Sequence, residues 1–187
     1  TPGIRNDLAW GGHGVLVFDI DNGHKFVKRI PFGGFNDKGE PDNVKGVCAN
    51  ATTGKIYIST PRVLTCLDLV SEKVLWEKPF ECGCDRMSIT QDGKDIYLPS
   101  FEKDFWNVVD GKTGNIVKRL DIPNAGSHNT IVDATGAHAY LAGLHSPFLR
   151  VVDTKTREVI KELGPFNSAI RPYTVNGKGT LCFVNIN

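Results

Sequence analysis

The sequence predicts an all-β fold built from four-stranded antiparallel β-propeller blades, with about four blades present. The first observation is a repeat: a β-rich run that ends in Asp occurs as VLVFD, VLTCLD, FWNVVD and LRVVD. The closing residues Asp19, Asp68, Asp110 and Asp153 are separated by 49, 42 and 43 residues. Intervals of roughly 40–45 residues are typical of propeller blades. The second observation is that no long stretch keeps the 3.6-residue period of an amphipathic helix.

Each of these aspartates precedes a short turn and a second apolar run, which together predict a β-hairpin. The turns read IDNG, LVSE, GKTG and TKTR, and the runs that follow are 26–30, 73–80, 115–120 and 158–163. An Asp carboxylate at the start of a tight turn accepts hydrogen bonds from the backbone N–H groups of that turn. We therefore predict that the four aspartates form turns and are not catalytic acids.

A second hairpin lies between successive copies of the first. It covers 46–60, 86–100, 129–143 and 171–185, and each copy carries a central polar turn with Gly, a residue that tolerates positive φ. Two hairpins in each period give four strands, lettered a to d from the inside of a blade outwards. This hairpin supplies strands a and b, and the runs that end in Asp are strand c.

The strand count predicts one domain, 1–187, that contains only part of a usual propeller ring. The predicted blades are 9–32 (the end of strand b, then c and d), 44–79, 84–122, 128–163 and 171–187 (strands a and b). Three arrangements remain open: part of a seven-bladed ring, two chains that share a ring of about eight blades, or a four-bladed ring closed by the end hairpins. Open blade edges predict self-association, because their backbone groups are unpaired.

Composition excludes several classes of partner. The chain has 187 residues, 40% of them hydrophobic and 23% charged, and its formal net charge is +1. This near-neutral charge gives no reason to expect nucleic acid or an anionic membrane surface as the main partner. No apolar run approaches the roughly 20 residues that a membrane-spanning helix needs.

The five cysteines are an odd number, so at least one is unpaired within the chain. Cys48, Cys66 and Cys182 lie in apolar runs and are predicted to be small buried hydrophobic residues. Cys82 and Cys84 form a C-x-C pair, which is weak support for zinc because structural zinc uses four ligands. The sequence leaves the redox state of these thiols open.

The strand-b runs, with their leading Gly turns, and the VVDxxTxxVI pattern that follows resemble the YVTN family of β-propeller repeats. The closest match is AHAYLAG…LRVVDTKTREVIKEL, residues 137–163, and the resemblance covers residues 9–187. It implies a WD40-like propeller similar to bacterial quinoprotein amine dehydrogenase β-chain-like proteins, surface-layer-like proteins, and lactonase or lyase relatives. It also implies a periplasmic or extracellular location. A shared fold implies no particular activity.

In such a propeller the d–a and b–c connections lie on one face, where ligands usually enter. The candidate ligand-binding residues on that face are His128, Arg86, Arg171, Asp85, Asn129, Tyr173, Lys45, His13 and His145. Basic and hydroxyl-bearing side chains suit an anionic or carbonyl-bearing ligand, and the alternative is that they bond backbone groups or ordered water. His128 is the foremost candidate, and His128, His13 and His145 are weak candidates for a metal.

The sequence contains none of the common catalytic or nucleotide-binding motifs. It has no H-E-x-x-H, P-loop, G-x-S-x-G or dinucleotide-binding pattern, so no motif implies a cofactor. We predict a binding scaffold that takes a small molecule or a protein on the d–a/b–c face. The first alternative is part of a propeller enzyme that uses the His and Arg residues of this face, at the mouth of the central channel of a propeller. Such an enzyme is either an amine-dehydrogenase-like oxidoreductase subunit or lactonase- or lyase-like. The second is an extracellular structural or adhesion module.

Overall fold

The computed structural model describes residues 14–30, 35–36, 38–40 and 42–186. All regular secondary structure in these residues is β-strand, and no helix in them is long and apolar enough to cross a membrane. The chain divides into two compact units, residues 1–44 and 45–187.

The first unit contains one described antiparallel hairpin. Strand β1 (Val15–Asp19) pairs with β2 (Lys25–Ile30), and Asp19 lies opposite Lys25 at the turn. The Asp19 carboxylate accepts a hydrogen bond of 3.1 Å from the backbone N–H of Asp21. These two strands are the predicted strands c and d of the first repeat.

The second unit contains three four-stranded antiparallel sheets and one two-stranded sheet. The first sheet consists of β3 (Gly46–Asn50), β4 (Lys55–Ser59), β5 (Val63–Asp68) and β6 (Val74–Pro79). The second consists of β7 (Ser88–Ile89), β8 (Asp95–Pro99), β9 (Phe105–Asp110) and β10 (Ile116–Asp121). The third consists of β11 (Ser127–Val132), β12 (His138–Gly143), β13 (Leu149–Asp153) and β14 (Glu158–Leu163). The last consists of β15 (Ile170–Val175) and β16 (Cys182–Ile186).

The predicted turn chemistry of the repeated aspartates is confirmed. Asp110 Oδ1 accepts hydrogen bonds from the backbone N–H groups of Lys112 and Thr113, at 3.0 and 2.7 Å. Asp153 Oδ1 accepts one from Thr156 at 2.7 Å, and this bond holds the pKa of Asp153 below its ordinary value. An acceptor at the first turn position satisfies N–H groups that the sheet ladder leaves unpaired.

Antiparallel pairing brings four strand termini to one end of each four-stranded sheet. In the first sheet Gly46 lies opposite Ser59, at the start of the inner strand and the end of the second. Val63 lies opposite Pro79, at the start of the third strand and the end of the outer one. The d–a and b–c connections therefore share this end, which we call the site end. The a–b and c–d turns share the other, which we call the turn end.

Inner strands of consecutive sheets are neighbours: β3 lies beside β7, β7 beside β11, and β11 beside β15. At the site end Ser59 Oγ donates to the backbone oxygen of Asp85 at 2.8 Å. One sheet further on, the hydroxyls of Ser100 and Ser127 lie 2.7 Å apart. These bonds tie the end of strand b to the start of the next inner strand, and so fix the inner-strand termini against one another.

The apolar core lies between consecutive sheets. Tyr57 and Leu64 pack with Ile96 and Val109 between the first and second sheets. Trp106 is buried between the second and third sheets, where its indole N–H donates to Thr130 Oγ1 at 3.0 Å. Since the sheets pack face to face through large apolar side chains, the polar strand termini are held at rigid positions.

One inner strand is shorter than the sequence predicts. Strand β7 covers only Ser88–Ile89, whereas the equivalent β3 and β11 have five and six residues. Just before it, Arg86 forms an isolated parallel bridge with Asn129 of the next sheet. The departure from regular pairing lies at the site end.

Outer strands carry an exposed apolar pair in each four-stranded sheet. Val74 and Leu75 are about half exposed in β6, and the same holds for Ile116 and Val117 in β10 and for Val159 and Ile160 in β14. Charged residues lie further along each of these strands, and Lys118 of β10 forms an ion pair with Glu158 of β14. Lys78 of β6 donates to Oδ1 of Asn115, the residue just before β10, at 2.5 Å.

Candidate functional site

The structure brings four of the predicted residues together at the site end of the second unit. They are Asp85, which precedes the short β7, His128 and Asn129 near the start of β11, and Arg171 near the start of β15. Because inner strands of consecutive sheets are neighbours, residues from three sheets meet here. His128 is the centre of this group, which we call the His128 cluster.

The hydrogen bonds of His128 define its tautomer. Its Nε2 lies 3.3 Å from Arg171 Nη1, and its Nδ1 lies 2.6 Å from Asn129 Oδ1. A guanidinium only donates, so Nε2 accepts and the ring proton is on Nδ1, where it is donated to Asn129. Through this contact His128 orients the Arg171 guanidinium.

Asp85 is the anionic member of the cluster and is almost completely buried, with 2% of its surface exposed. Its Oδ2 lies 3.7 Å from His128 Nε2 and has no hydrogen-bond partner among the described residues. Burial raises the pKa of the Asp85 carboxyl above its ordinary value, while the charges of Lys45 and Arg86 act to lower it. A buried carboxylate oxygen without a partner is uncommon in folded proteins and calls for a ligand, an ion or water.

Two further predicted cations lie beside the cluster. Arg86 is exposed and follows Asp85 directly, and the charge of each of Lys45 and Arg86 acts on the Asp85 carboxyl. Lys45 Nζ lies over the Phe101 ring, 4.5 Å from its centroid, which orients the ammonium by a cation–π contact. The cluster and these two neighbours together combine one buried carboxylate with an imidazole and three cationic side chains.

Two predicted residues have other positions, and a third is not described. The buried Tyr173 hydroxyl lies 3.0 Å from the backbone oxygen of Asn129 and 2.7 Å from that of Tyr140, so it holds strands together behind the cluster. The exposed His145 ring covers Gly126, where an added Cβ would lie 2.6 Å from its Nδ1. His13 lies outside the described residues.

A metal site has no further support in the described part of the chain. No group of three or more His, Cys, Asp or Glu side chains there is arranged to hold a metal ion. His128 has only Asp85 as a potential co-ligand, and structural zinc uses four ligands. The cysteines in the structure are free thiols, and burial raises the pKa of Cys48 to about 12 and that of Cys66 to about 11.

Sequence reasoning missed a group of residues at the turn end. Arg157 donates two hydrogen bonds to Asp95, at 2.7 and 3.0 Å, across the second and third sheets. The signal was present in the repeat: TKTR carries Arg157 where GKTG of the preceding hairpin carries Gly114. A long cationic residue at a turn position that favours Gly is a departure that needs a reason.

The comparisons with known proteins find similarity of structure but not of sequence family. No protein-family model and no curated protein matches this chain. Hydrazine synthase of Kuenenia stuttgartiensis matches with a TM-score of 0.70 and 17% sequence identity, covering 82% of this chain and 46% of that one. The β-propeller domain of Myceliophteria thermophila Cps50 (Swd1) matches with a TM-score of 0.72 and 15% identity, covering 91% of this chain and 55% of that one.

These similarities and the sheet topology confirm the predicted fold class. The chain is all-β and has the four-stranded antiparallel blades of a β-propeller, about four of them. It spans about half the length of the two matched chains. At this level of identity the similarity concerns the fold alone. The finer resemblance to YVTN repeats stays a prediction.

Proposed function

We propose that this chain is a ligand-binding β-propeller scaffold whose binding site is the His128 cluster at the site end. The observation that supports this proposal most strongly is the buried Asp85 Oδ2, which has no hydrogen-bond partner in the described residues. Leaving a buried carboxylate oxygen unpaired costs more than an ordinary missing hydrogen bond. A ligand that donates a hydrogen bond to this oxygen removes that cost on binding.

The neighbouring groups define the rest of the ligand. Arg171 is exposed and uses one of its N–H groups on His128, so other donors of its guanidinium remain for an anion. Arg86 adds a second exposed cation next to Asp85. We infer a small carboxylic acid with a hydroxyl or amino group beside the carboxylate. The donor group is placed at Asp85, and the carboxylate is bound by Arg171.

Titration calorimetry with a panel of α-hydroxy and α-amino acids tests this proposal. Matched carboxylic acids that lack the second group serve as comparison ligands. We expect binding of panel members that Asp85→Asn and Arg171→Gln each weaken about tenfold or more, because each removes a charge-assisted hydrogen bond. The exposed Asp121 provides the control, and Asp121→Asn is expected to leave the affinity unchanged.

Two results would count against the small-acid site. One is a panel in which nothing binds to the wild-type protein. The other is a bound acid whose affinity is the same in Asp85→Asn. Binding of a protein on the site end, with Asp85→Asn without effect, would instead favour a protein-docking face.

A propeller enzyme is the second candidate, and the raised pKa of Asp85 beside His128 favours it. A buried carboxyl next to an imidazole is a pairing used for general acid–base chemistry. Hydrolysis or elimination assays on lactones and hydroxy acids test this candidate. Turnover that is lost in both His128→Ala and Asp85→Asn would support it, and turnover that persists in both variants would assign the activity to another site.

A further inference from the structure

A cavity lies at the turn end of the second unit, between the second and third four-stranded sheets. Its volume is about 450 Å³, within the range of roughly 300–1,000 Å³ that small-molecule sites occupy. Its walls come from two a–b turns and one c–d turn. The lining residues are Thr90, Gln91, Asp92, Lys94, Asp95, Thr135, Gly136, Thr154, Lys155 and Arg157.

Three cations line this cavity. Arg157 is held by the buried Asp95 through its Nε and one terminal nitrogen, which leaves the other terminal nitrogen for a ligand. Lys94 forms an exposed ion pair of 3.1 Å with Asp92. The exposed Lys155 forms no ion pair with any described residue. Its charge therefore has no carboxylate partner in this part of the chain.

At the preceding junction, between the first and second sheets, side chains at the equivalent positions form hydrogen bonds from one sheet to the next. There Asn50 Nδ2 donates to the backbone oxygens of Thr90 and Gln91, each at 3.0 Å. Tyr57 also donates from its hydroxyl to the backbone oxygen of Gly111 at 2.9 Å. Asn50 and Tyr57 thus link the two sheets at the turn end.

At the cavity both links are changed. Thr90 stands in the place of Asn50, and its shorter side chain turns back to Asp92, with Oγ1 2.7 Å from Oδ1. Tyr97 stands in the place of Tyr57, and its buried hydroxyl has no hydrogen-bond partner among the described residues. The charges of Asp95 and Arg157, both of which line the cavity, act on this hydroxyl. The unpaired buried hydroxyl thus belongs to the same strand, β8, as the cavity-lining Asp95.

We propose that this cavity is a second binding site, for a small hydroxyl-bearing molecule that carries a phosphate group. Lys155, Lys94 and the free N–H groups of Arg157 supply donors for an oxyanion, and Arg and Lys are the usual phosphate-binding side chains. The carboxylate of Asp92 supplies an acceptor for ligand hydroxyls. This site is separate from the His128 cluster, because it lies at the other end of the same sheets.

The repeat provides a matched control for the test. Lys112 occupies the same place in the GKTG turn that Lys155 occupies in TKTR, but it is not part of the cavity. Titration calorimetry measures the affinity of glucose 6-phosphate, inorganic phosphate and glucose for the wild-type protein and for Lys155→Gln and Lys112→Gln. We expect glucose 6-phosphate to bind and Lys155→Gln to weaken it about tenfold. Lys112→Gln is expected to bind as the wild type does.

A second variant, at Arg157, tests the cavity without relying on Lys155 alone. Arg157→Gly is compatible with the turn, because Gly114 occupies the equivalent positive-φ position, and we expect it to reduce binding further. Binding of inorganic phosphate with the same dependence on Lys155 would support the site and assign it to free phosphate. Absence of binding by both phosphate probes, or equal losses in Lys155→Gln and Lys112→Gln, would overturn the proposal.

Discussion

The two equivalent tyrosines Tyr57 and Tyr97 predict opposite effects of the same substitution. Both side chains are completely buried, so a change to Phe keeps the ring and its packing in each case. Tyr57→Phe removes a hydrogen bond of 2.9 Å to Gly111, which costs about 1–2 kcal/mol. Tyr97→Phe removes a buried hydroxyl without a partner in the described residues, which stabilises the fold by about 1 kcal/mol.

Urea unfolding followed by tryptophan fluorescence measures this difference. The free energies of unfolding of the two variants are expected to differ by about 2–3 kcal/mol with unchanged slopes, which corresponds to roughly 4–12 °C in Tm. Tyr140 is the third equivalent position and is only half-buried, so Tyr140→Phe is expected to change stability by about 0.5 kcal/mol or less. If Tyr97→Phe destabilises the protein as much as Tyr57→Phe does, the reasoning is refuted.

Three further substitutions test the fold and the site by unfolding measurements. Gly143→Ala is expected to lower the free energy of unfolding by about 3 kcal/mol, because its Cβ would lie 1.9 Å from the Ala125 backbone oxygen. Gly177→Ala is the control, since a Cβ there meets nothing within 4 Å. Equal stabilities of the two variants would contradict this prediction. Asp110→Ala is expected to cost about 1 kcal/mol by loss of its turn bonds, and an unchanged midpoint would show that the turn forms without them. Because the pKa of Asp85 is raised, the folded state binds more protons than the unfolded state, and the free energy of unfolding falls as pH rises from the ordinary pKa of 3.8 through the raised pKa. Asp85→Asn should remove this pH dependence. If the free energy of unfolding of wild type and variant changes with pH in parallel, the raised pKa does not belong to Asp85.

The outer hairpins could be predicted to within about two residues because their signals are local. The predicted run 73–80 is strand Val74–Pro79, and the predicted run 115–120 is Ile116–Asp121. Asp at the turn and alternating apolar residues act within a few positions along the chain. Neither signal depends on distant contacts, so one sequence was sufficient.

The site could be predicted only as a set of residues on one face. His128, Asp85 and Arg171 were expected there, but their mutual contacts depend on how three sheets pack. Tyr173 faces the core because the pairing of β15 with β16 shifts register between Ile170 and Tyr173, which breaks the simple alternation of the strand. A single-residue shift reverses the side to which a strand residue points, and the sequence pattern does not encode that shift.

The cavity at the turn end was beyond prediction for a different reason. It depends on differences between equivalent repeat positions, Thr90 in place of Asn50 and Arg157 in place of Gly114. Neither difference alone indicates a cavity. Their combined effect appears only when the side chains of two sheets are placed together. Packing at such junctions is a non-local property of the chain.

The half-exposed apolar pairs on the outer strands have a consequence for handling the protein in solution. Strands β6, β10 and β14 are sheet edges, and apolar edges tend to recruit strands from other molecules. The charged residues beside each pair, with bridges such as Lys118–Glu158, keep such edges apart by charge. Because exposed charges are screened over about 8 Å at physiological ionic strength and over shorter distances in concentrated salt, colloidal stability should decline as salt is added. Low-salt buffers are therefore the conditions in which concentrated samples should stay dispersed longest.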